Sequence, residues 1–393
     1  MIYGVKIGIV AYKFGTEKEI GEHLGTYHYF IETLRQMVKL GHEVYVIAPW
    51  LSFFKVGSTN MDGVRVLRYY PPLFNRPKLG IINTILQNWY IRTTNKKVLE
   101  LDSKLKLDAI CVWQARETGY AVAKVADKLR APFIFRQITA WSWHFERMKQ
   151  DRQRQEKFAR EIYDKAKQII FVSKAAAEAE LALGLDEKKI RVMGVAIETE
   201  VFKPLNITLN TKTILFIGRI NFAEKGIGVL LDAMPEILKE VTDAKLLIIG
   251  GGGEEERMRG QIKDLGIEDA VQIVGKKPFA ELPKYLNAAD VMVVPSLWLE
   301  AFGQVTIIAM SCGVPVVTSD IGGSTEINVD GETGFIVPKG DATALAGAVI
   351  NVLANDDLRK KMGVAARKRV EENYSFEILT KKFLDLIAEA KHE

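Results

Sequence analysis

The chain has 393 residues, 48% hydrophobic and 26% charged, with a formal net charge of +5. This composition excludes a disordered or fibrous chain and supplies core material for two domains rather than one, while the small positive surplus suggests an anionic partner without requiring one. The two cysteines, Cys111 and Cys312, each lie in an apolar run and lack clustered histidines, which excludes a disulfide scaffold or a zinc ligand set and leaves buried thiols.

At the N-terminus, MIYGVKIGIVAY has no basic region leading into a long apolar stretch with a cleavage site, so it reads as a buried strand and not as a signal peptide. No apolar run approaches the ~20 residues that span a bilayer. The expectation is a cytoplasmic protein without spans. Strands are predicted at 6–11, 43–48, 64–69, 108–113, 132–136 and 168–173, with amphipathic stretches between most of them. Runs apolar on both faces and separated by helices imply parallel βαβ units.

From Gly63 to Leu99 the chain carries seven basic residues (Arg65, Arg68, Arg76, Lys78, Arg92, Lys96, Lys97) and no acid, interleaved with Tyr69, Tyr70, Phe74, Trp89 and Tyr90. Such a mixture suits an anionic membrane surface; a solvated helical face with core aromatics is the plainer alternative. No nucleic-acid module is present in the sequence, so nucleic acid is not an expected partner.

The segment 197–212, IETEVFKPLNITLNTK, is polar, holds Pro204 and lacks helical periodicity, and it reads as a linker. The rhythm then restarts, with strands predicted at 213–218, 245–250, 270–275, 290–295, 314–319 and 334–338, and a final helix over 375–392. The fold class is α/β: two doubly wound, Rossmann-like domains facing across a cleft, at 1–200 and 201–374, with 375–393 returning to the first. In such sheets ligands bind at the carboxyl ends of the strands.

Three loops there carry candidate chemistry. FIGRINFAEKG, after the first strand of the second half, offers Gly218, Arg219 and Lys225 ahead of a helix starting near Gly228. Strand, glycine loop and helix N-terminus form an arrangement that receives phosphate; Arg219 can fork onto two phosphate oxygens and Lys225 adds a point charge. An ordinary βα loop with solvated charges has the same composition. IIGGGGEEERM follows the next strand. Its glycines, Gly250 and Gly251 first among them, allow close backbone approach to a ligand or a plain structural turn. Glu254–Glu256 would repel a phosphate and suit the positive end of the following helix. In WLEAFGQVTIIAMSCGVPVV, Glu300 sits between a strand and a helix that Gly313 terminates. The carboxylate can accept hydrogen bonds from sugar hydroxyls beside the N–H groups of Phe302, Gly303, Gln304 and Val305, or it can cap its own helix.

The pieces GRINFAEKG, ADVMVVPS, EAFGQVTIIAMSCGVPVV and GGSTEINVDGETGFIVP, in this order and spacing, resemble the retaining GT-B glycosyltransferases of family 4 (glycosyl transferases group 1). IGIVAY and GTYHYFIETLRQMVKLGHEVYVIAP resemble the family's first half more loosely. The resemblance implies a metal-independent hexosyltransferase that moves a sugar from a nucleoside-diphosphate sugar, its co-substrate, to the hydroxyl of a glycan or lipid-linked acceptor, with no other cofactor. Arg219 and Lys225 would hold the diphosphate, and Glu300 would bind a hydroxyl of the donor sugar. Backbone at Gly303, Gln304 and Val305 would add phosphate contacts, and Gly25 would let the first domain approach the donor. Membrane contact through 63–99 would place the protein at the inner face of the membrane.

The sequence departs from the family at two places. The second acid, eight positions after Glu300, is Ile308, which leaves the ribose end of the pocket apolar. The first half lacks the family's His or Gly-Asp pair after the strand at 132–136; His144 stands several residues late, and His28 lies on the first helix. A nucleotide-sugar-binding relative with weak or lost catalysis, and a nucleotide-sugar epimerase, are the alternatives the same fold allows.

Overall fold

The computed structural model describes residues 4–14, 24–50, 57–71, 80–113, 115–145, 151–205, 207 and 211–392, with backbone only at 24–28 and 57–58. The chain divides into two compact units, Met1–Gly194 with Leu379–Glu393, and Val195–Ile378.

In the first unit, eight strands form one sheet: β1 (Lys6–Val10), β2 (Glu43–Pro49), β3 (Gly57–Met61), β4 (Val64–Tyr69), β5 (Ala109–Trp113), β6 (Phe133–Gln137), β7 (Gln168–Phe171) and β8 (Ile190–Val192). Their order is β3-β4-β2-β1-β5-β6-β7-β8. All neighbours are parallel except β3, which pairs antiparallel with β4. Apart from Lys6 the central strands KIGIV, AICVW and FIFRQ are buried along their length, as a sheet covered on both faces requires. Two strands went unread in the sequence. β3, GSTNM, is polar and sits at an edge, and β8 has only three residues.

A cation lies in the core of this sheet. Arg136, on β6, is fully buried. Its Nη1 donates to the Phe171 carbonyl at 3.2 Å and its Nη2 to that of Gly194 at 2.6 Å, and its guanidinium lies 5.7 Å from the Trp113 ring centroid. Burial pulls its pKa down to about 10, still cationic at neutral pH. The last helix, Phe376–His392, brings Phe383 edge-on to Trp113 at 5.8 Å and pairs Glu389 with Arg191 at 2.9 Å.

The second unit is a six-stranded parallel sheet in the order β11-β10-β9-β12-β13-β14. Its strands are β9 (Lys212–Ile217), β10 (Ala244–Ile249), β11 (Val271–Gly275), β12 (Val291–Val294), β13 (Val316–Ser319) and β14 (Gly334–Val337). Helices Ile227–Glu240 and Ala342–Ala354 bury Leu230, Leu231, Met234, Val349 and Leu353 against Ile214, Leu246, Ile248, Val291 and Val293. The chain runs outward from β9 to β11, then returns to lay β12 on the other side of β9. The β9/β12 boundary is therefore the topological switch point. The segment from Ile197 is not slack where it is described: Arg367 Nη1 donates to the carbonyls of Thr199 (3.0 Å), Phe202 (2.7 Å) and Ser311 (2.8 Å), and Phe202 is fully buried.

Candidate functional site

The loops that follow β9 and β12 leave the sheet on either side of the switch point, and they are joined by backbone. After β9, Asn221 caps the short helix Phe222–Lys225, its Oδ1 accepting from Glu224 N–H at 2.7 Å. The carbonyl of Glu224 then accepts from the N–H groups of Leu297 (3.0 Å) and Trp298 (3.2 Å) in the loop after β12. Gly226 stands at φ +65°, and a Cβ there would lie 1.8 Å from the Pro295 carbonyl oxygen, so only glycine lets the two loops touch.

This contact brings the three charged residues singled out by sequence onto one patch. Lys225 Nζ pairs with Glu300 Oε1, a partner 75 residues away. Arg219, 66% exposed at its side chain, donates from Nη2 to Glu224 Oε2 at 2.6 Å. Each cation is thus held by a carboxylate. The four side chains differ in environment: Arg219 is largely solvated, whereas Glu224, Lys225 and Glu300 are mostly covered. Solvent screens the exposed guanidinium, which leaves Arg219 accessible to an anionic ligand.

Glu300 Oε2 is buried without a hydrogen-bond partner among the described residues, and so are Thr306 Oγ1 and Ser324 Oγ. The three oxygens converge. They lie 3.5, 3.2 and 3.2 Å from the point where a Cβ on Gly303 would stand. Two hydroxyls that can donate or accept and one carboxylate oxygen that can only accept thus gather at one polar spot beside Gly303, packed too closely to admit a Cβ without a shift. The loop backbone is fixed from the other side by Gly323 N–H, which donates to the Glu300 carbonyl at 2.7 Å. Neither Thr306 nor Ser324 was picked out by sequence. Their signal was a hydroxyl inside an apolar helix and another directly after a Gly-Gly pair.

Gly303, at φ +104°, starts the helix Gln304–Ser311, whose first internal bonds run from the N–H groups of Thr306 and Ile307 to the Gly303 carbonyl. The amides of Gln304 and Val305 precede those bonds, and both residues are partly exposed. Phe302 is buried edge-on against Tyr374 at 5.6 Å. Ile308 is 1% exposed, so its side chain faces protein and presents no apolar wall to solvent.

Two glycines of the run after β10, Gly250 and Gly252, stand against the protein's own backbone. A Cβ on Gly250 would lie 1.8 Å from the Gly218 carbonyl oxygen, which is what makes glycine necessary there. Gly218 N–H donates to Ile249 and Ile220 N–H to Gly251, zipping this loop to the one after β9. Glu254 Oε2 accepts from Phe222 N–H at 2.9 Å and Glu255 Oε1 from Gly252 N–H at 3.1 Å, so these acids brace the loop.

In the first unit, Gly25 lies in the first turn of the helix Leu24–Lys39, where only backbone is described, and the His28 side chain lies outside the described residues. His144, in the short helix Ser142–Phe145, places Nε2 3.3 Å from Thr139 Oγ1. Next to it is a polar network that sequence did not reveal. Glu180, fully buried, accepts from Ser142 N–H (2.9 Å), Ser142 Oγ (2.8 Å) and Tyr163. Of the basic stretch, Arg68 is buried, donating to the Phe14 carbonyl at 2.6 Å, and Arg65 pairs with Glu43 at 3.1 Å. Tyr69 and Tyr90 are buried with their hydroxyls on Thr94 and Thr118. Phe74, Arg76 and Lys78 lie outside the described residues. Among the described residues, no helix is long and apolar enough to cross a membrane.

Comparison with known proteins agrees with this architecture. The Glycosyltransferase Family 4 model matches residues 25–201, and the model for Glycosyl transferases group 1 matches 197–369. The chain is 37% identical over 173 residues to a phosphatidyl-myo-inositol mannosyltransferase of Mycobacterium leprae, covering 44% of this chain and 45% of that protein. It is 32% identical over 191 residues to the N-acetyl-alpha-D-glucosaminyl L-malate synthase of Bacillus anthracis, 47% of each. These matches span less than half the length of the relatives. Among solved structures it is similar to sucrose-phosphate synthase from Thermosynechococcus elongatus, with a TM-score of 0.76, 21% identity and 98% of each chain covered. It is also similar to Anabaena HepE in complex with UDP, with a TM-score of 0.73 and 18% identity over 98% of this chain and all of that one. Residues 197–369 therefore belong to glycosyl transferases group 1 and residues 25–201 to glycosyltransferase family 4, and the two-sheet fold is the one these solved structures share.

Proposed function

We propose that this protein transfers a hexosyl group from a nucleoside-diphosphate sugar to an acceptor hydroxyl, with retention at the anomeric carbon and without a metal ion. The observation that carries the reading is the meeting of Arg219, Lys225 and Glu300 at the carboxyl edge of β9 and β12. Two cations and the amides of Gln304 and Val305 suit the diphosphate. Fixed donors of this kind stabilise the charge that grows on a departing phosphate oxygen. The Oε2 of Glu300, with the hydroxyls of Thr306 and Ser324, suits a hydroxyl of the donor sugar.

On binding, the diphosphate takes Arg219 from Glu224, and Lys225 is shared between it and Glu300. The bond from the anomeric carbon to the phosphate oxygen then breaks on the same face at which the acceptor oxygen bonds to that carbon. The released phosphate oxygen accepts the acceptor's proton, so no separate base is needed. Support for a lipid-linked acceptor comes from relatives named as phosphatidyl-myo-inositol mannosyltransferases; a glycan acceptor fits the site equally.

The test is a binding screen over uridine-, guanosine- and adenosine-diphosphate sugars, then transfer assays with the best donor, with and without EDTA. Arg219→Ala and Lys225→Ala are each expected to lower kcat by about 10²–10³, the effect of removing one charge-stabilising donor. Wild-type rates in both variants would remove the leaving-group role. An inverted anomeric configuration in the product, read by NMR, would overturn retention.

A further inference from the structure

The helix Ile81–Leu105 carries an unpartnered face of mixed character. Ile81, Ile82, Ile85 and Trp89 are 78%, 59%, 60% and 46% exposed. At about 100° per residue they share one side of the helix, and Arg92 and Lys96, both exposed, continue that side in the following two turns. The opposite side is built into the core through Gln87, Tyr90, Ile91, Thr94 and Val98. A single exposed isoleucine is ordinary, but three isoleucines and a tryptophan on one stripe form a patch. No acid lies anywhere between Ile81 and Leu99.

We propose that this face docks on a bilayer containing anionic lipid. The isoleucines enter the layer below the headgroups. Trp89, braced edge-on by Tyr70 at 5.5 Å, sits at the boundary, where an indole is favoured. Arg92 and Lys96 then meet lipid phosphates. The gradation along one face, apolar, then indole, then cationic ahead of Glu100, which pairs with Lys97 at 2.8 Å, matches the depth profile of a membrane interface. An apolar protein partner would leave the two cations unused. The inference rests on the transferase reading only for its purpose, which is to bring the protein to a lipid-bearing acceptor. It also narrows the membrane contact expected over 63–99 to the exposed side of this helix. Arg68, Tyr69 and Tyr90 are core residues and take no part.

The test is flotation of the full chain with phosphatidylcholine vesicles and with vesicles carrying about one-third phosphatidylglycerol. Wild-type protein is expected to float with the anionic vesicles and to release them at high salt. Arg92→Glu with Lys96→Glu should weaken that binding about thirtyfold or more, and Ile85→Glu with Trp89→Glu should abolish it. Both double variants alter exposed positions, so circular dichroism should stay native and transfer to a water-soluble acceptor should be unchanged. Absence of wild-type binding alongside activity on a soluble acceptor would overturn the docking and leave the transferase reading intact. Vesicle binding without any transferase activity would do the reverse. A dimer that dissociates in Ile85→Glu/Trp89→Glu, with no vesicle binding, would assign the face to a second copy and overturn the proposal.

Discussion

Ile308 shows how burial changes the meaning of a residue. By sequence it stands where the family has an acid, and the open question was how an apolar side chain would serve a ribose. At 1% exposure it serves the interior of the second unit instead. Replacing it by glutamate would therefore bury a carboxylate with no partner built for it. We expect Ile308→Glu to destabilise the second unit by roughly 3–5 kcal/mol, as an uncompensated buried charge does, and not to tighten donor binding. Burial raises a carboxyl pKa. The penalty should be small below about pH 4.3, where the unfolded side chain is protonated as well, and should grow as pH rises toward the folded value. Thermal unfolding of both proteins across pH 4–8 checks this, and a variant as stable as wild type at pH 8 would contradict it. Lys225 and Glu300 were readable as chemistry because their loop positions follow strands. Their pairing was not, since 75 residues separate them.

The elements around the site are held together by backbone, and the decisive positions are glycines. Gly226 accepts the Pro295 carbonyl at a distance that no Cβ permits, in a conformation L-residues rarely adopt. Gly226→Ala should cost on the order of 3 kcal/mol or more, since either the positive φ or the contact must yield. It should also separate Lys225 from Glu300, so donor affinity should fall together with the unfolding midpoint. A variant that loses stability but keeps wild-type donor affinity would show that the contact serves folding alone. The glycine-rich loops were visible in the sequence as places of close approach. What they approach was not: at Gly250 it is the carbonyl of Gly218.

For the whole molecule, the division of the chain makes its end part of its beginning. Leu379–Glu393 belong to the first unit, where Phe383 is fully buried against Trp113. Phe383→Ala should remove about 3–5 kcal/mol from that unit. Hydrogen exchange should quicken at Ile110–Val112 and Ile134 while Leu215 and Ile248 stay protected; equal loss in both units would refute this assignment. By itself the sequence determined two parallel, doubly wound sheets and the loops that carry charge, because strand period, helix spacing and loop position are local and follow from burial on one or both faces. Only the tertiary structure decided that Arg219 rests on Glu224 and Lys225 on Glu300, that three orphan oxygens meet at Gly303, that Ile308 is core, and that Ile81, Ile82, Ile85 and Trp89 are not. Apart from the short step from Arg219 to Glu224, these depend on which distant segments pack together, and hydrophobic pattern marks a residue as fit for burial without naming the surface that buries it.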